Sequence, residues 1–367
     1  MHRKDLIKPD GRKLALYSLK PIADDIVATN PPHDPVTGRS HMRWNPIRGE
    51  WVAYASHRQN RTFLPPKEYS PLMVTKSADF PTELPAGDYQ VAVFENLFPS
   101  FALNAEDVPT PTFAVETKPG YGVCEVVVFS QDPDTSLSEM SVEEVTLVLE
   151  VLADRMKVIG EVSGINYILP FENRGVEVGV TLHHPHGQIY SYPVVPPLVA
   201  RMVEMQTAHF ESHGRTLISD FVADEEKDGR RMIASEGEMR SFVPVCARYP
   251  YETWIAPGKP VRWLYELSSS EIRDLAVVLK TTLMKYDAMW SKPFPYLLAL
   301  FQAPTDGGAH PGCHLHFQTF PPLRTRDRLK YLAGTELAAG LFINDSLPEE
   351  KAAELRAVQV TVDGVVR

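Results

Sequence analysis

Residues 184–188 read His-Pro-His-Gly-Gln, and residues 314–318 read His-Leu-His-Phe-Gln. Both stretches fit the pattern His-x-His-x-Gln, and they lie 130 residues apart. Apolar runs that begin at a tyrosine precede them at a similar offset, at residues 167–171 and 296–301. Short apolar runs bounded by turn residues are typical of buried strands. Because one pattern recurs at one offset, we infer that the chain contains an internal duplication.

Each copy also carries a helix-start signal upstream of its tyrosine run. Ser141 is followed by Glu144, and Ser268 is followed by Glu271. In such a capping box the serine accepts a hydrogen bond from the first turn, and the glutamate reaches back to the serine N–H. Apolar residues then recur at three- and four-residue steps, which predicts one amphipathic helix in each copy. A further apolar run at residues 126–129, repeated 127 residues later, predicts a strand before each helix.

These elements predict an α+β fold in two halves. In each half a mainly antiparallel sheet, curved as a half-barrel, is covered by one long helix. The first half is expected over residues 41–200 and the second over residues 240–367. Residues 201–239 are expected to form a connecting helix and an exposed hairpin. Residues 1–40, which include several prolines, are expected to be a poorly packed N-terminal extension.

Composition excludes several classes of protein. The 367 residues are 44% hydrophobic and 23% charged, as in soluble globular proteins and unlike disordered or fibrous chains. The net charge of −10 provides no basic field for a nucleic acid. No apolar run approaches the roughly 18 residues of a membrane-spanning helix, and the first residues lack the features of a signal peptide. We therefore expect a cytoplasmic protein that binds neither nucleic acid nor membrane.

The first His-x-His-x-Gln stretch carries the strongest chemical signal. Alternate residues of a strand share one face, so His184, His186 and Gln188 are expected to point the same way. A neutral imidazole can attack phosphorus and form a phosphoramidate that passes its group onward. Histidines that fill a polar core, or that bind a metal, are the alternative interpretation.

The glutamine limits the kind of leaving group that the reaction can have. Its amide can donate a hydrogen bond to a phosphate oxygen, but it has no proton to give to a departing group. The leaving group must therefore already be a good one, such as a sugar phosphate or pyrophosphate. The motif predicts nucleotidyl transfer between phosphates through a covalent histidine intermediate.

The sequence resembles the galactose-1-phosphate uridylyltransferase family of the histidine triad superfamily, whose duplicated half carries His-Pro-His-Gly-Gln. The resemblance extends over about residues 41–345. It includes the blocks Arg43-Trp44-Asn45-Pro46, Arg58-Gln59-Asn60-Arg61, Phe94-Glu95-Asn96, Phe171-Glu172-Asn173-Arg174-Gly175 and Tyr251-Glu252-Thr253-Trp254. It implies a duplicated histidine-triad-like fold and a ping-pong reaction. In that reaction His186 attacks the α-phosphorus of UDP-glucose, releases glucose 1-phosphate and then passes UMP to galactose 1-phosphate.

The resemblance also implies roles for further residues. Gln188 matches the phosphate-binding glutamine of the family, and Thr181 stands where a serine usually contacts phosphate. Lys330 and Glu336 belong to the segment that reaches the hexose, although Thr335 replaces a tyrosine there and Phe342 lies near an expected glutamine. The positions that match substrate-binding residues of the family are Arg58, Arg61, Asn96, Asn173, Gly179, Thr181, Lys330 and Glu336.

The metal positions of the family are incompletely matched. The resemblance implies zinc or iron, with His184, His314 and His316 as the candidate ligands in this chain. Met202 and Phe301 fall where two further ligands are expected, and no cysteine precedes Cys124. A structural zinc site needs about four ligands. We therefore expect weak metal binding or none, and no cofactor that the sequence requires.

The implied partners are UDP-glucose, galactose 1-phosphate and a second copy of the chain in a homodimer whose sites draw residues from both subunits. Two rival functions remain open at the level of sequence. One is a related nucleotidyltransferase or phosphorylase that acts on ADP-glucose, another nucleotide sugar or a dinucleoside polyphosphate. The other is a noncatalytic sensor that binds a nucleotide or a metal without turnover.

Overall fold

One antiparallel sheet of eleven strands forms the centre of the structure. The structure is a computed structural model, and it describes residues 1–33, 40–60, 65–66, 69–106, 108–110, 112–113 and 115–367. The strands of the large sheet are β1 (His2–Ile7), β2 (Lys13–Ser18), β5 (Val91–Glu95), β7 (Cys124–Val128), β8 (Tyr167–Arg174), β9 (His186–Tyr192), β10 (Met232–Glu236), β11 (Met239–Phe242), β12 (Trp254–Pro257), β13 (Tyr296–Phe301) and β14 (His316–Phe320).

The remaining strands form three small sheets, and five α-helices complete the described fold. Strands β3 (His41–Asn45), β4 (Glu50–Tyr54) and β6 (Thr117–Pro119) form one sheet; β15 (Leu323–Thr325) pairs with β16 (Arg328–Leu329), and β17 (Thr361–Val362) pairs with β18 (Val365–Val366). The helices are α1 (Val142–Gly160), α2 (Pro197–His213), α3 (Leu217–Asp228), α4 (Ser269–Met289) and α5 (Pro348–Ala357). Within the described ranges, none of these helices has the length and apolar character needed to cross a membrane.

The order of the strands confirms the predicted duplication. The sheet runs β1-β2-β5-β7-β9-β8-β13-β14-β12-β11-β10. Strands β7, β8 and β9 correspond in the repeat to β12, β13 and β14, so the order is symmetric about the boundary between β8 and β13. At that boundary β8 and β13 pair antiparallel, with Phe171 opposite Ala299. The two halves therefore share one sheet, because this pairing satisfies the backbone groups that each half would otherwise expose at an edge.

The two long helices begin where the capping boxes predict. Ser141 caps α1 and Ser268 caps α4, and in both boxes the glutamate three residues later bonds back to the serine N–H. The helices pack against each other and against the same face of the sheet. Their apolar stripes, which include Val145 in α1 and Leu275 in α4, are buried in one hydrophobic core. The same helix therefore covers the same position in each half.

The prediction that residues 1–40 pack poorly is wrong for β2, at residues 13–18. Strand β2 pairs with β5 in the large sheet, and Leu14, Leu16 and Tyr17 are buried. Leu14 and Leu16 enter the core on one face of the sheet, whereas Tyr17 enters the core beneath α1 on the other face. The apolar run from Leu14 to Tyr17 is typical of a strand. The prolines further along the segment favoured the prediction of an irregular extension instead.

The connection between the halves also differs from the prediction of one helix and an exposed hairpin. Residues 201–239 contain most of α2 and all of α3, because Gly214 ends α2 in a left-handed conformation and Thr216 caps α3. The hairpin of β10 and β11 is not an exposed excursion, since β11 pairs with β12 and Met239 is buried. The predicted boundaries between the two halves remain a prediction.

Candidate active site

A cavity of about 460 Å³ opens on the face of the first half opposite α1 and α4. His186 and Gln188 of β9 line it, so the structure brings together the two residues predicted to be catalytic. Five of the predicted substrate-binding residues also line it, namely Arg58, Asn96, Asn173, Gly179 and Thr181. Arg61, the sixth residue predicted from this half, lies outside the described residues.

His186 is held in a defined tautomer. Its Nδ1 lies 2.7 Å from the backbone carbonyl oxygen of His184. A carbonyl can only accept a hydrogen bond, so Nδ1 carries the proton and Nε2 keeps its lone pair. Burial lowers the pKa of His186, and the bond to the His184 carbonyl opposes this shift. The ring is therefore neutral near pH 7, as a nucleophile must be.

His184 does not share the cavity with His186, contrary to the prediction that both point the same way. Strand β9 begins only at His186, so the alternation of faces does not extend back to His184. The His184 ring is buried, and its Nε2 donates to the Ser130 carbonyl oxygen at 2.7 Å. Burial lowers its pKa. The contribution of His184 to the site is its backbone carbonyl, which orients His186.

A row of cross-strand neighbours extends from Gln188 toward the first strands of the sheet. Gln188 lies opposite Val126 on β7 and opposite Phe171 on β8. Val126 in turn lies opposite Phe94 on β5, and both Val126 and Phe94 line the cavity. Phe94 is two strand spacings, roughly 10 Å, from Gln188. The cavity thus has a polar end at β9 and an apolar wall on β7 and β5.

Arg58 supplies positive charge to this acidic protein at the cavity. It lies in a short 3₁₀ helix, Ser56–Asn60, that follows β4. Its Nη1 donates to the Phe98 carbonyl oxygen at 2.7 Å and to the Tyr190 hydroxyl at 3.1 Å. These two bonds fix the guanidinium at the cavity wall, where its planar fork suits a phosphate.

Two asparagines reach the cavity from different strands. Asn96 follows β5, and its Oδ1 accepts a hydrogen bond from the Phe98 N–H at 2.9 Å. Asn173 lies on β8, and its Oδ1 is buried without a hydrogen-bond partner among the described residues. A buried amide oxygen of this kind is costly unless it is paired. Asn173 is therefore suited to accept a hydrogen bond from a bound molecule.

The loop that leads into β9 closes the polar end. Gly179 and Thr181 both lie on it and line the cavity. Gly179 has a φ of 81°, and an added Cβ would meet no atom within 4 Å. The left-handed backbone, rather than lack of space, therefore favours glycine at this position.

In the second half the corresponding motif is closed. His316 has the same tautomer as His186, since its Nδ1 donates to the His314 carbonyl oxygen at 2.9 Å. Its Nε2, however, accepts from the Gln318 amide at 3.0 Å, and both residues are buried. Burial lowers the pKa of His316 to about 4. The rings of Phe301 and Trp254 pack on His316 at centroid distances of 5.4 Å and 5.7 Å, and they cover its ring.

The candidate metal ligands do not fit a resident zinc or iron ion. Both ring nitrogens of His314 are engaged, Nδ1 with the Thr216 hydroxyl at 2.8 Å and Nε2 with the Pro257 carbonyl oxygen at 3.0 Å. Both ring nitrogens of His316 are also engaged, Nδ1 with the His314 carbonyl oxygen and Nε2 with the Gln318 amide. His184 keeps only its buried Nδ1, and no group of three potential ligands occurs in the parts of the chain that the structure describes. Met202 and Phe301, at the remaining family positions, belong to an apolar cluster.

Lys330 and Glu336 do not line the cavity. The Lys330 ammonium donates to the Ile343 carbonyl oxygen. Glu336 accepts hydrogen bonds from the Ala333 N–H, the Thr335 hydroxyl and the Ile343 N–H, and these bonds, led by the one from Ala333, lower its pKa to about 2. The two residues hold the segment at 330–343 in shape, and their predicted contact with the hexose stays a prediction.

Sequence reasoning missed the residues that close the end of the cavity at β5, away from the polar end at β9. Leu72, Glu83 and the segment at 31–33 line this end. They lie in irregular stretches without periodicity, so no pattern in the sequence indicated them.

Comparison with known proteins places the chain among relatives of similar size. The family model of the galactose-1-phosphate uridyl transferase N-terminal domain matches residues 32–196, and that of the C-terminal domain matches residues 202–363. The galactose-1-phosphate uridylyltransferase of Thermotoga maritima is 35% identical over 327 residues, which are 88% of this chain and 99% of the relative. That of Streptomyces lividans is 32% identical over 362 residues, 94% of each chain.

Solved structures share the fold. One described as a uridylyltransferase is 31% identical, with a TM-score of 0.76, and the match covers 86% of this chain and 97% of the other. An ADP-glucose phosphorylase from Arabidopsis thaliana, solved with bound ADP-glucose, is 26% identical with a TM-score of 0.68, covering 88% of this chain and 99% of the other. By these similarities in sequence and fold, the chain belongs to the galactose-1-phosphate uridylyltransferase family.

Proposed function

We propose that this chain is a nucleotidyltransferase that moves UMP from UDP-glucose to galactose 1-phosphate, with His186 as the nucleophile. The observation that carries the assignment to His186 is its geometry. The imidazole lines the cavity as the neutral Nδ1–H tautomer, so Nε2 presents its lone pair beside Gln188. The identity of the two substrates is inferred from the family to which the chain belongs.

In the first half-reaction Nε2 of His186 attacks the α-phosphorus of UDP-glucose. A nitrogen–phosphorus bond forms, the bond from phosphorus to the bridging oxygen breaks, and glucose 1-phosphate leaves with that electron pair. Gln188 donates to a nonbridging oxygen as charge develops, and Arg58 provides a fixed positive charge in the same cavity. Positive charge on the imidazole is stabilised by the Nδ1–H bond to the His184 carbonyl.

In the second half-reaction a phosphate oxygen of galactose 1-phosphate attacks the same phosphorus, and His186 leaves as the neutral ring. No protonated group is needed at either step, because each leaving group is a good one. Asn173 offers its unpaired Oδ1 to a hydroxyl group of a substrate.

The experiment that tests this function uses UDP-glucose labelled at the α-phosphate, with no acceptor present. The expected result is an acid-labile, base-stable adduct on the protein, which disappears on addition of galactose 1-phosphate. His186→Ala should form no adduct, whereas His183→Ala, a change at the neighbouring exposed ring, should form it normally. Turnover without an adduct would contradict the covalent mechanism, and labelling from ADP-glucose in preference to UDP-glucose would favour the phosphorylase alternative.

We further propose that a second copy of the chain brings its segment at 330–343 to this cavity. Lys330 and Glu336 do not reach the cavity of their own chain, and the segment exposes large apolar side chains at Tyr331, Leu337 and Leu341. Such exposure is typical of a surface that another protein covers. A mixture of His186→Ala with Glu336→Gln, each inactive alone, should regain activity, because mixed dimers contain one intact site. Two inactive variants that dimerise together without regaining activity would contradict a shared site.

A further inference from the structure

The turn between β1 and β2 approaches the end of the cavity at β5. This N-terminal hairpin precedes residue 32, at which the match to the family model begins. Its turn carries Lys8 and Arg12, and both side chains reach Glu83, which lines the cavity. The hairpin therefore adds to the site an element that the family model does not include.

Lys8 is completely enclosed. Its side chain has no exposed area, and its ammonium group donates to Glu83 Oε2 at 2.6 Å, to the Glu83 carbonyl oxygen at 2.7 Å and to the Thr29 carbonyl oxygen at 2.8 Å. All three N–H donors are thus used. The ammonium also lies 4.8 Å from the centroid of the Phe94 ring, which forms part of the cavity wall.

Arg12 connects the two sides of the cavity end. Its Nη1 donates to Glu83 Oε1 at 3.1 Å and to the Glu95 carbonyl oxygen at 2.9 Å, and its Nη2 donates to Glu83 Oε2 at 2.9 Å. Glu95 is the last residue of β5, directly between Phe94 and Asn96. The Glu83 N–H bonds to the Pro71 carbonyl, next to Leu72. One guanidinium therefore fixes the end of β5 relative to the opposite wall.

Buried ions of this kind rarely add to stability by themselves, because removing two charges from water costs about as much as their attraction returns. The geometry points to a different role: we propose that Lys8, Arg12 and Glu83 are positioning residues that hold Phe94 and Asn96 in place for the nucleoside of the donor substrate. This inference rests on the proposed function. It assigns the base and ribose to the end of the cavity at β5, two strands away from Gln188.

In a ping-pong reaction, kcat/KM for each substrate depends only on the half-reaction in which that substrate takes part. The two half-reactions can therefore be tested separately. The nucleoside must be captured only in the first half-reaction and is already attached in the second. Lys8→Met combined with Glu83→Gln removes the buried charges as a pair. We expect kcat/KM for UDP-glucose to fall between about tenfold and a hundredfold, and kcat/KM for galactose 1-phosphate to change by less than about threefold.

Two further variants control for loss of folding. Arg3→Met removes an ion pair, with Asp154 of α1, that ties the same hairpin to the protein at its other end, at 2.9 Å; it should leave both kcat/KM values unchanged. Arg12→Lys keeps the charge but loses the planar fork that bonds both Glu83 carboxylate oxygens and the Glu95 carbonyl oxygen from two nitrogens. It should lower kcat/KM for UDP-glucose by about threefold to tenfold. The value of kcat/KM for galactose 1-phosphate should again change by less than about threefold.

Binding of UMP, measured by calorimetry, gives a readout that needs no turnover. The Kd of UMP should rise in Lys8→Met/Glu83→Gln by the same factor as the fall in kcat/KM for UDP-glucose. Equal losses in both kcat/KM values, or an unchanged Kd of UMP, would overturn the positioning role. If the unaltered protein forms no adduct with UDP-glucose, the proposed function fails, and the UMP titration still decides whether these residues position a nucleotide.

Discussion

The two copies of His-x-His-x-Gln share one backbone arrangement but have opposite surroundings. In both, the second histidine bonds through Nδ1 to the carbonyl of the first. In the first copy Val126 lies opposite Gln188, whereas in the second Trp254 lies opposite Gln318. The larger ring occupies the space that the cavity has in the first half. Side chains on the neighbouring strands, rather than the motif itself, therefore decide which copy lines an open cavity.

A second difference in side chains between the two halves also covers the second copy of the motif. Phe301 lies opposite His316 on β13 and stacks on its ring. The equivalent position on β8, two residues beyond Phe171, is Asn173, which lines the cavity. An amide that lines the cavity in one half is thus replaced by an apolar ring in the other.

The largest effect should come from removing each histidine in turn. His186→Ala is expected to lower kcat/KM for UDP-glucose by about 10⁴-fold or more, because the nucleophile is lost. His316→Ala should keep kcat/KM within about tenfold and lower the free energy of unfolding by about 2 kcal/mol, because a buried, hydrogen-bonded ring is lost. Steady-state kinetics and chemical denaturation measure the two effects. A comparable loss of activity in both variants would show that both copies of the motif take part in the reaction.

A smaller effect is expected from opening the closed copy. Trp254→Val gives the second half the residue that the first half has at Val126, and it leaves a void beside His316 and Gln318. The free energy of unfolding should fall by about 2 to 4 kcal/mol, while kcat of the folded protein stays unchanged. Urea denaturation and kinetics on the same preparation check both. A large drop in kcat with normal stability would show that the closed copy takes part in catalysis.

The smallest effect concerns a buried carboxyl at the boundary of the halves. Glu172 on β8 is buried and accepts a hydrogen bond from the Tyr296 hydroxyl of β13 at 3.0 Å. Burial raises its pKa to about 7, partly opposed by Arg174. A raised carboxyl pKa favours the folded state while the group is protonated, so this stability is present at low pH and is lost as the pH rises through about 7.

Glu172→Gln removes this titration without changing the size of the side chain. Between pH 5 and pH 8 the free energy of unfolding of the unaltered protein should fall by about 1 to 3 kcal/mol relative to the variant. Parallel urea denaturation at both pH values measures the difference. Identical pH profiles for the two proteins would show that Glu172 is ionised throughout.

The sequence predicted the features that depend on local pattern. Both capping boxes, the strands at residues 167–171 and 296–301 and the duplication follow from spacing alone, and the structure confirms them. The pairing of β8 with β13 into one sheet could not be predicted, because it depends on two strands far apart in the chain. The hairpin at residues 2–18 is local, but its apolar run is short and the prolines that follow favoured an irregular segment.

In the candidate site, too, local patterns were predicted from the sequence and long-range contacts were not. His186 and Gln188 were found because alternate residues of a strand share a face, and the family resemblance added Arg58, Asn96 and Asn173. His184 was misplaced because the strand begins two residues later than the motif. Lys8 and Glu83 could not be anticipated, since only the folded chain brings residues 75 positions apart into contact.

The antiparallel boundary between β8 and β13 has a consequence for the origin of the chain. A single half would end in an unpaired strand, and the simplest partner for that strand is the same strand of a second, identical half. Joining two such halves in one polypeptide makes their association independent of protein concentration. In the joined chain one copy of the motif lines a cavity, and the other is packed inside the fold. A chain cut within the connection at residues 214–216 and expressed as two fragments should therefore reassemble through this strand pair.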